Sequence, residues 1–217
     1  RARDLIQQML TFSRGQRGER RCIILSALVR EGAQLLQAML PASLELRVEA
    51  SGNAAITADP VQIEQVLLNL CINARDASGG VGQMHVTVRE RQVRECLCAS
   101  CRERVTGRYI DLSVADNGPG IAPEVLERIF EPFFSTKEVG KGTGMGLAVV
   151  HGIVHEHGGH VCVDSVPGRG ATFHVLLPIA EGIDASMPGV ASGLVPARPV
   201  ALRGRVLLVD DQRAVLA

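Results

Sequence analysis

Three side chains in the stretch "EQVLLNLCINARDA" have the types and spacing of an oxygen-ligand set. At about 100° per residue, Asn69, Asn73 and Asp76 fall on one helical stripe within roughly 60°. Val66, Leu67, Leu70 and Ala74 supply the adjoining apolar surface. A buried amide left unpaired costs about 1–3 kcal/mol, so such a stripe either faces solvent or meets a partner. Mg²⁺ is a partner of the right kind, because it takes oxygen ligands and fills its shell with water and phosphate oxygens.

A second place is "VADNGPGI", where a strand runs into Asp116 and then a tight turn. A carboxylate at a strand end can accept a hydrogen bond from an exocyclic amine, and Gly118 and Gly120 let a flat ring lie against the backbone. The third is "GKGTGMGL", Gly140 to Leu147, a glycine-rich loop leading straight into a helix. Backbone N–H groups and the positive end of the helix dipole converge there, and phosphate is the natural guest. It is no Walker A motif, since Gly140-Lys141 is followed by Gly142, and no dinucleotide fingerprint, since no strand precedes it. Lys137 and Lys141 are cations suited to phosphate or simply to solvent. In the fourth, "SVPGRGATFHVLLP", a turn is followed by Thr172, whose hydroxyl can serve a bound base.

Around these residues the periodicity predicts their supports. Leu5, Met9 and Phe12 make a helical stripe over residues 1–14. Ser26 is expected to cap a helix through about Leu40, and "LELRVEA" alternates as a strand. Asp59-Pro60 opens a helix expected to run to Ala77. "MHVTVRERQV" and "RYIDLSVAD" read as strands flanking a cysteine-bearing insertion, and "PEVLERIF" as a short helix. Residues 131–143 read as a long mobile loop, followed by a helix from about Gly144 to His157 and strands "HVCVDSV" and "TFHVLLP". Residues 181–203 have linker composition, and "GRVLLVDD" starts a new buried strand. Strands and helices without strict alternation point to an α/β sandwich, with one mixed sheet and helices on one face.

The 217 residues are 46% hydrophobic and 21% charged, with no Trp, one Tyr and five Phe, so the core must be aliphatic. Lys plus Arg balances Asp plus Glu at 23 each, which argues against a nucleic-acid or membrane-surface partner. Apolar runs such as "VLLNLCINA" are too short to span a bilayer. Both ends read as cut, giving the expectation of a piece of a longer chain. Cys22, Cys71 and Cys162 sit in apolar contexts as small core hydrophobes. Cys96, Cys98 and Cys101 form C-x-C-x-x-C, but no His or further Cys follows at ligand spacing and a closed zinc site wants four ligands. Reduced thiols in a cytoplasmic setting are the expectation. "HEHGGH" is expected to close a helix and open a strand rather than bind metal.

The asparagine helix, D-x-G-x-G, "FEPFFSTK", G-x-G-x-G and "PGRGATF" occur in the order of the motif boxes of one known domain. Over roughly residues 20–180 the sequence resembles the ATP-binding catalytic domain of the sensor histidine kinases, in the wider group shared with gyrase, Hsp90 and MutL. The resemblance implies that Asp116 binds the adenine amine with Thr172 assisting through water. It further implies that Asn73 holds Mg²⁺ and that Asn69 lines the phosphate site. Gly142, Gly144 and Gly146, flanked by Thr143 and Leu147, would cradle the phosphates, with Lys137 and Lys141 beside them. Residues from about 124 to 143 would form the ATP lid, seated by Phe133 and Phe134. Gyrase and Hsp90 relatives carry a water-activating Glu where this sequence has Asn69, an amide that is no general base. This implies transfer of the γ-phosphate to another acceptor, a kinase reaction in which Asn69 is the catalytic-site amide. An ATPase of the gyrase or Hsp90 type and a degenerate nucleotide-sensing scaffold are the rival readings.

The flanks carry the same resemblance. Residues 1–18 are similar to the second helix of the family's dimerisation and phosphoacceptor hairpin. Residues 204–217 are similar to the first strand of a receiver, with Asp210 and Asp211 as its acidic pair. A hybrid histidine kinase is implied, whose partners are its own hairpin in a homodimer and a receiver or response regulator. None of the six His residues has the context of the phosphoacceptor.

Overall fold

The computed structural model describes residues 19–137 and 143–180. The helix expected over residues 1–14, the linker, the receiver strand and the candidate residues Lys141 and Gly142 lie outside the described residues. Among those described, no helix is long and apolar enough to cross a membrane.

Strand β1 (Arg21–Ile24) leads into helix α1 (Leu25–Met39), followed by β2 (Leu44–Ala50) and β3 (Ala55–Ala58). Helix α2 (Pro60–Ala77) precedes the long strands β4 (Gly82–Leu97) and β5 (Arg104–Asp116). A single turn of helix, α3 (Pro123–Leu126), and helix α4 (Gly146–Glu156) come next, before β6 (His160–Ser165) and β7 (Ala171–Pro178). The main sheet has the order β2-β4-β5-β7-β6; β2 runs parallel to β4 and all other pairs are antiparallel. β1 and β3 pair as a separate antiparallel ribbon. The two-layer sandwich with a mixed sheet that the sequence predicts is therefore the fold.

Alternation along the strands sets the two layers. Met84, Val86, Val88, Leu112, Val114, Phe173 and Val175 join one core with Ile63, Val66, Leu67 and Leu70 of α2 and Val150, Ile153 and Val154 of α4. Each fully buried aliphatic side chain contributes about 1.5–3 kcal/mol, so α2 and α4 are fixed against one face of the sheet. The alternate residues are polar: Thr87 and Ser113 share a 2.5 Å hydrogen bond, and Asp111 meets His174 and Arg91.

Asp59 caps α2 as its Asp-Pro opening predicts, accepting from the Val61 N–H at 3.0 Å. The Asp59 N–H in turn donates to His157 Nε2 at 3.1 Å, tying the start of α2 to the end of α4. Ser26 does not cap α1: Ile24 is the N-cap, and the Ser26 hydroxyl donates to the Gly52 carbonyl at 2.7 Å. "PEVLERIF" is helical only over Pro123–Leu126, and the chain continues in turns. The expectation of reduced thiols in the cysteine-bearing insertion fails at Cys96, while Cys98 and Cys101 are free. Cys96 and Cys162 form a disulfide across 66 residues, so Cys162, buried in the core as expected, is also a cross-link. Cys71 fits its core role, with burial pushing its thiol up to about 12.

Candidate functional site

The apolar stripe that buries Leu67, Leu70 and Ala74 turns the other side of α2 toward the start of α4. Asn69 and Asn73, both half-buried, meet Gly146, the first residue of α4. A Cβ on Gly146 would stand 3.6 Å from Asn69 Oδ1 and 3.6 Å from Asn73 Nδ2. The helix start, with its unpaired N–H groups and positive dipole end, therefore lies beside two amides that can act as donors or acceptors. Asp76, the third member of the stripe, is engaged elsewhere. It takes Lys137 Nζ at 2.6 Å and Arg75 Nη2 at 2.7 Å.

Asp116 ends β5 and is partly buried. Its Oδ1 accepts from the Gly118 N–H at 2.9 Å. Burial pushes the Asp116 carboxyl up, against the lowering effect of hydrogen bonds from the Gly118 and Ala171 N–H groups. Gly118 lies against the Ala77 carbonyl at the end of α2, with room for no larger residue without a shift: a Cβ would stand 3.2 Å from that carbonyl carbon. The Asp116 turn and the β6–β7 turn interlock. Gly120, at φ +71°, backs onto the Val166 carbonyl, and Gly170 backs onto the Asp116 carbonyl. The Ser165 hydroxyl stitches them together, donating to the Gly170 carbonyl at 2.9 Å and accepting from the Ile121 N–H at 2.8 Å. The two motifs read separately in the sequence are thus one unit.

Thr172 stands opposite Ala115, one residue along from the Ala171 that pairs with Asp116. The Thr172 hydroxyl is not brought into direct contact with the Asp116 carboxylate by this register. Thr143 is exposed, its hydroxyl accepting weakly from the Met145 N–H at 3.4 Å. The Leu147 side chain packs on the core, leaving its backbone to the helix start. Phe134 packs on the core beneath the Arg128 guanidinium, 4.4 Å from the ring centre. Phe133 differs from its expected seat: its side chain is 64% exposed, and only its backbone binds, its N–H donating to the Gly144 carbonyl at 3.1 Å.

Sequence reading missed Asn117 and Ser165 as supports of the site. Asn117 Oδ1 accepts from the Gln83 N–H at 3.0 Å, bracing β4 against the Asp116 turn. An Asn beside a strand-end Asp was a signal for the turn but not for the partner strand.

The α/β sandwich thus places two amides beside a glycine-led helix start and a partly buried carboxylate at a strand end. Residues 58–181, more than half the chain, match the family described as "Histidine kinase-, DNA gyrase B-, and HSP90-like ATPase". The chain is 37% identical over 220 residues to sensor kinase CckA of Brucella abortus, covering 99% of this chain and 23% of that protein. It is 40% identical over 157 residues to sensor histidine kinase ZraS of Escherichia coli K12, covering 71% of this chain and 30% of that protein. Among solved structures it is similar to full-length ShkA in complex with AMPPNP, with TM-score 0.62 and 28% identity over 77% of this chain and 33% of that one. The catalytic domain of histidine kinase ThkA gives TM-score 0.59 and 29% identity over 74% of this chain and 96% of that one. The chain belongs to the histidine kinase-, gyrase B- and HSP90-like ATPase family, and the relatives named above are sensor kinases. It spans about a quarter of the length of the curated relatives it matches.

Proposed function

We propose that this domain binds Mg²⁺-ATP and presents its γ-phosphate to a histidine on the helical hairpin of a hybrid histidine kinase. The observation that carries the reading is the approach of Gly146, the first residue of α4, to Asn69 and Asn73, where a Cβ would meet Asn69 Oδ1 and Asn73 Nδ2 at 3.6 Å. Asp116 accepts from the adenine amine, with Thr172 assisting through a water. Gly118 and Gly120 serve the site by holding the Asp116 turn against the end of α2 and the β6–β7 turn, rather than by opening a face to the base. Gly142, Gly144 and Gly146, with Thr143 and the Leu147 backbone, hold the phosphates, and Lys137 and Lys141 neutralise them.

The donor set suits Mg²⁺. Asn73 and Asn69 offer neutral oxygens, while Asp76, the nearest acid on the stripe, is committed to Lys137 and Arg75. Bound there, the ion would neutralise charge on the phosphate oxygens. The protein contributes mostly position and charge complementarity, as phosphoryl transfer requires little covalent help. Asn69 lacks the basicity to activate water, which favours an acceptor other than water. His157 and His174 are held in hydrogen bonds with Asp59 and Asp111, consistent with an acceptor outside this set of histidines. Residues 1–18 belong in this reading to the second hairpin helix of a homodimer, residues 20–180 to the catalytic domain, 181–203 to a linker and 204–217 to a receiver. The setting is cytoplasmic.

The test is a calorimetric titration of a non-hydrolysable ATP analogue, with and without Mg²⁺, into the wild-type chain and Asn73→Ala. Expected is binding in the micromolar range that needs Mg²⁺ and weakens in the variant. Binding of equal strength with and without Mg²⁺, unaffected by Asn73→Ala, would overturn the metal assignment. With ATP in place of the analogue, the chain is expected to bind but not to label itself.

A further inference from the structure

The fold brings together two sequence features that the nucleotide site leaves unused. One is the cysteine-bearing connection between β4 and β5, and the other is the "HEHGGH" segment between α4 and β6. Cys98 Sγ, Cys101 Sγ and one ring nitrogen of His160 all lie within 4.8 Å of one another. Cys101 Sγ is 3.8 Å from His160 Nδ1, and Cys98 Sγ is 3.8 Å from His155 Nε2. With zinc–sulfur bonds near 2.3 Å and zinc–nitrogen bonds near 2.0–2.1 Å, the edges of a tetrahedral site are about 3.3–3.8 Å, and about 3.6 Å between sulfur and nitrogen. Both separations are close to such edges; His155 stands outside the compact group of three and reaches it only through Cys98.

The backbone around Cys98 is folded as a tight knuckle. The Cys98 N–H donates to the Glu103 carbonyl at 2.8 Å, and the Arg102 N–H returns to the Cys98 carbonyl at 2.9 Å. Arg102 takes φ +64° to make that turn, an uncommon conformation for a residue with a side chain. The Cys98 sulfur is buried, yet the Val161 N–H points at it from 3.4 Å and the Ser100 hydroxyl lies 3.4 Å away. A buried sulfur with an N–H and a hydroxyl within reach is thus held beside a second thiol and two imidazoles.

We propose that Cys98, Cys101, His160 and His155 form a zinc site that clamps the β4–β5 connection onto the end of α4 and the start of β6. Two thiolates and two imidazoles favour zinc over the oxygen-seeking Mg²⁺ and Ca²⁺. His155 completes the set by exchanging its 2.9 Å contact with the Ser100 hydroxyl for the metal. The local core gives the clamp a purpose, since only Val93, Cys98, Val105, Cys162 and Leu176 are buried in it. The Cys96–Cys162 disulfide ties one side of the connection to β6, and the metal ties the other. This proposal does not depend on the reading of the nucleotide site.

The test is elemental analysis of the 217-residue chain, purified without a metal-affinity resin or chelator, alongside Co²⁺ titration of the metal-stripped protein. Expected is about one zinc per chain in the wild type and in Cys96→Ser/Cys162→Ser, and none in Cys98→Ser/Cys101→Ser. Co²⁺ should give the intense visible bands of a tetrahedral site with a thiolate charge-transfer band, a readout on wild-type protein that does not depend on any variant folding. His155→Ala should weaken Co²⁺ binding at least tenfold, and unchanged binding would remove His155 from the ligand set. Loss of zinc from Cys96→Ser/Cys162→Ser alone would overturn the choice of cysteines. A metal-free wild type whose Co²⁺ spectrum stays octahedral, or in which Cys98 and Cys101 are oxidised to each other, would overturn the site itself.

Discussion

Lys137 Nζ donates to Asp76 Oδ2 at 2.6 Å, joining the segment after Phe134 to the last turn of α2. Burial pushes the Asp76 carboxyl up, but hydrogen bonds from Lys137 and Arg75 outweigh it and hold it below its ordinary value. A depressed pKa contributes stability that is present above the ordinary carboxylate value and is lost as pH falls through the folded one. Asp76→Asn is therefore expected to cost about 1 kcal/mol at neutral pH, a modest figure because both partners keep some exposure to water. The deficit should close toward about pH 3 and below. Urea denaturation of both proteins at the two pH values checks this; an equal deficit at both would exclude the ion pair as its source.

Gly144 and Gly146 belong to one motif but are glycine for different reasons. Gly144 has φ +66°, and a Cβ there would lie 2.5 Å from the Phe133 carbonyl carbon. Gly144→Ala should destabilise the fold by roughly 1–3 kcal/mol. At Gly146 the backbone is ordinary and a Cβ meets only Asn69 and Asn73 at 3.6 Å. Gly146→Ala should leave the melting temperature unchanged or slightly raised, since Ala exceeds Gly by up to about 1 kcal/mol in a helix. Its methyl group would stand between the helix start and the two amides proposed to serve the phosphates and Mg²⁺, and affinity for an ATP analogue should fall at least tenfold. Melting curves and titrations on both variants separate strain from site; identical behaviour of the two would contradict the distinction.

Much of the site could be read from local pattern, because its residues are fixed by their own elements. Asp59-Pro60 announces α2, and helical periodicity alone puts Asn69, Asn73 and Asp76 on one stripe. The short strands β1 and β3, "RCII" and "AITA", escaped because four residues carry too little alternation to be told from a loop. Ser26 looked like a cap, but its hydroxyl is drawn to the Gly52 carbonyl by a loop that local pattern does not place. The pairing of Cys96 with Cys162, and of Cys98 and Cys101 with His160, depends on the strand order β5-β7-β6. Residues about sixty positions apart meet there, and no local spacing encodes it.

Asp111 shows the same limit and supports a stability prediction. In "YIDLSV" it occupies the outward position of an alternating strand, yet it is 0% exposed. His174 Nδ1 lies 3.0 Å and Arg91 Nη1 3.0 Å from its Oδ2, so both neighbouring strands cover it. Removing one partner of a buried ion pair typically costs about 3–5 kcal/mol, because the other charge is left without compensation. Asp111→Ala should lose about that much in chemical denaturation. Exchanging the exposed pair Arg104 and Glu95 for alanines should cost little by comparison. A small loss at Asp111 would mean that water reaches the cluster and solvates it.

Asp116→Asn separates fold from recognition. Burial raises the Asp116 carboxyl, and a raised carboxylate pKa means that ionisation opposes folding: stability is greatest below the ordinary value and falls as pH rises through the folded one. Asn carries no charge and keeps an oxygen to accept from the Gly118 N–H, so the variant should be at least as stable as wild type at neutral pH. Recognition should change in the other direction. If the carboxylate accepts from the adenine amine, its loss removes a charge-assisted hydrogen bond of about 1.5–3 kcal/mol, or roughly ten- to a hundredfold in affinity. The Asn amide can instead donate to the oxygen that guanine carries in place of that amine, so GTP should lose much less than ATP. Parallel titrations with both nucleotides read the ratio directly. An equal drop for both would show that the mutation deformed the pocket, and no drop for ATP would move the base away from Asp116.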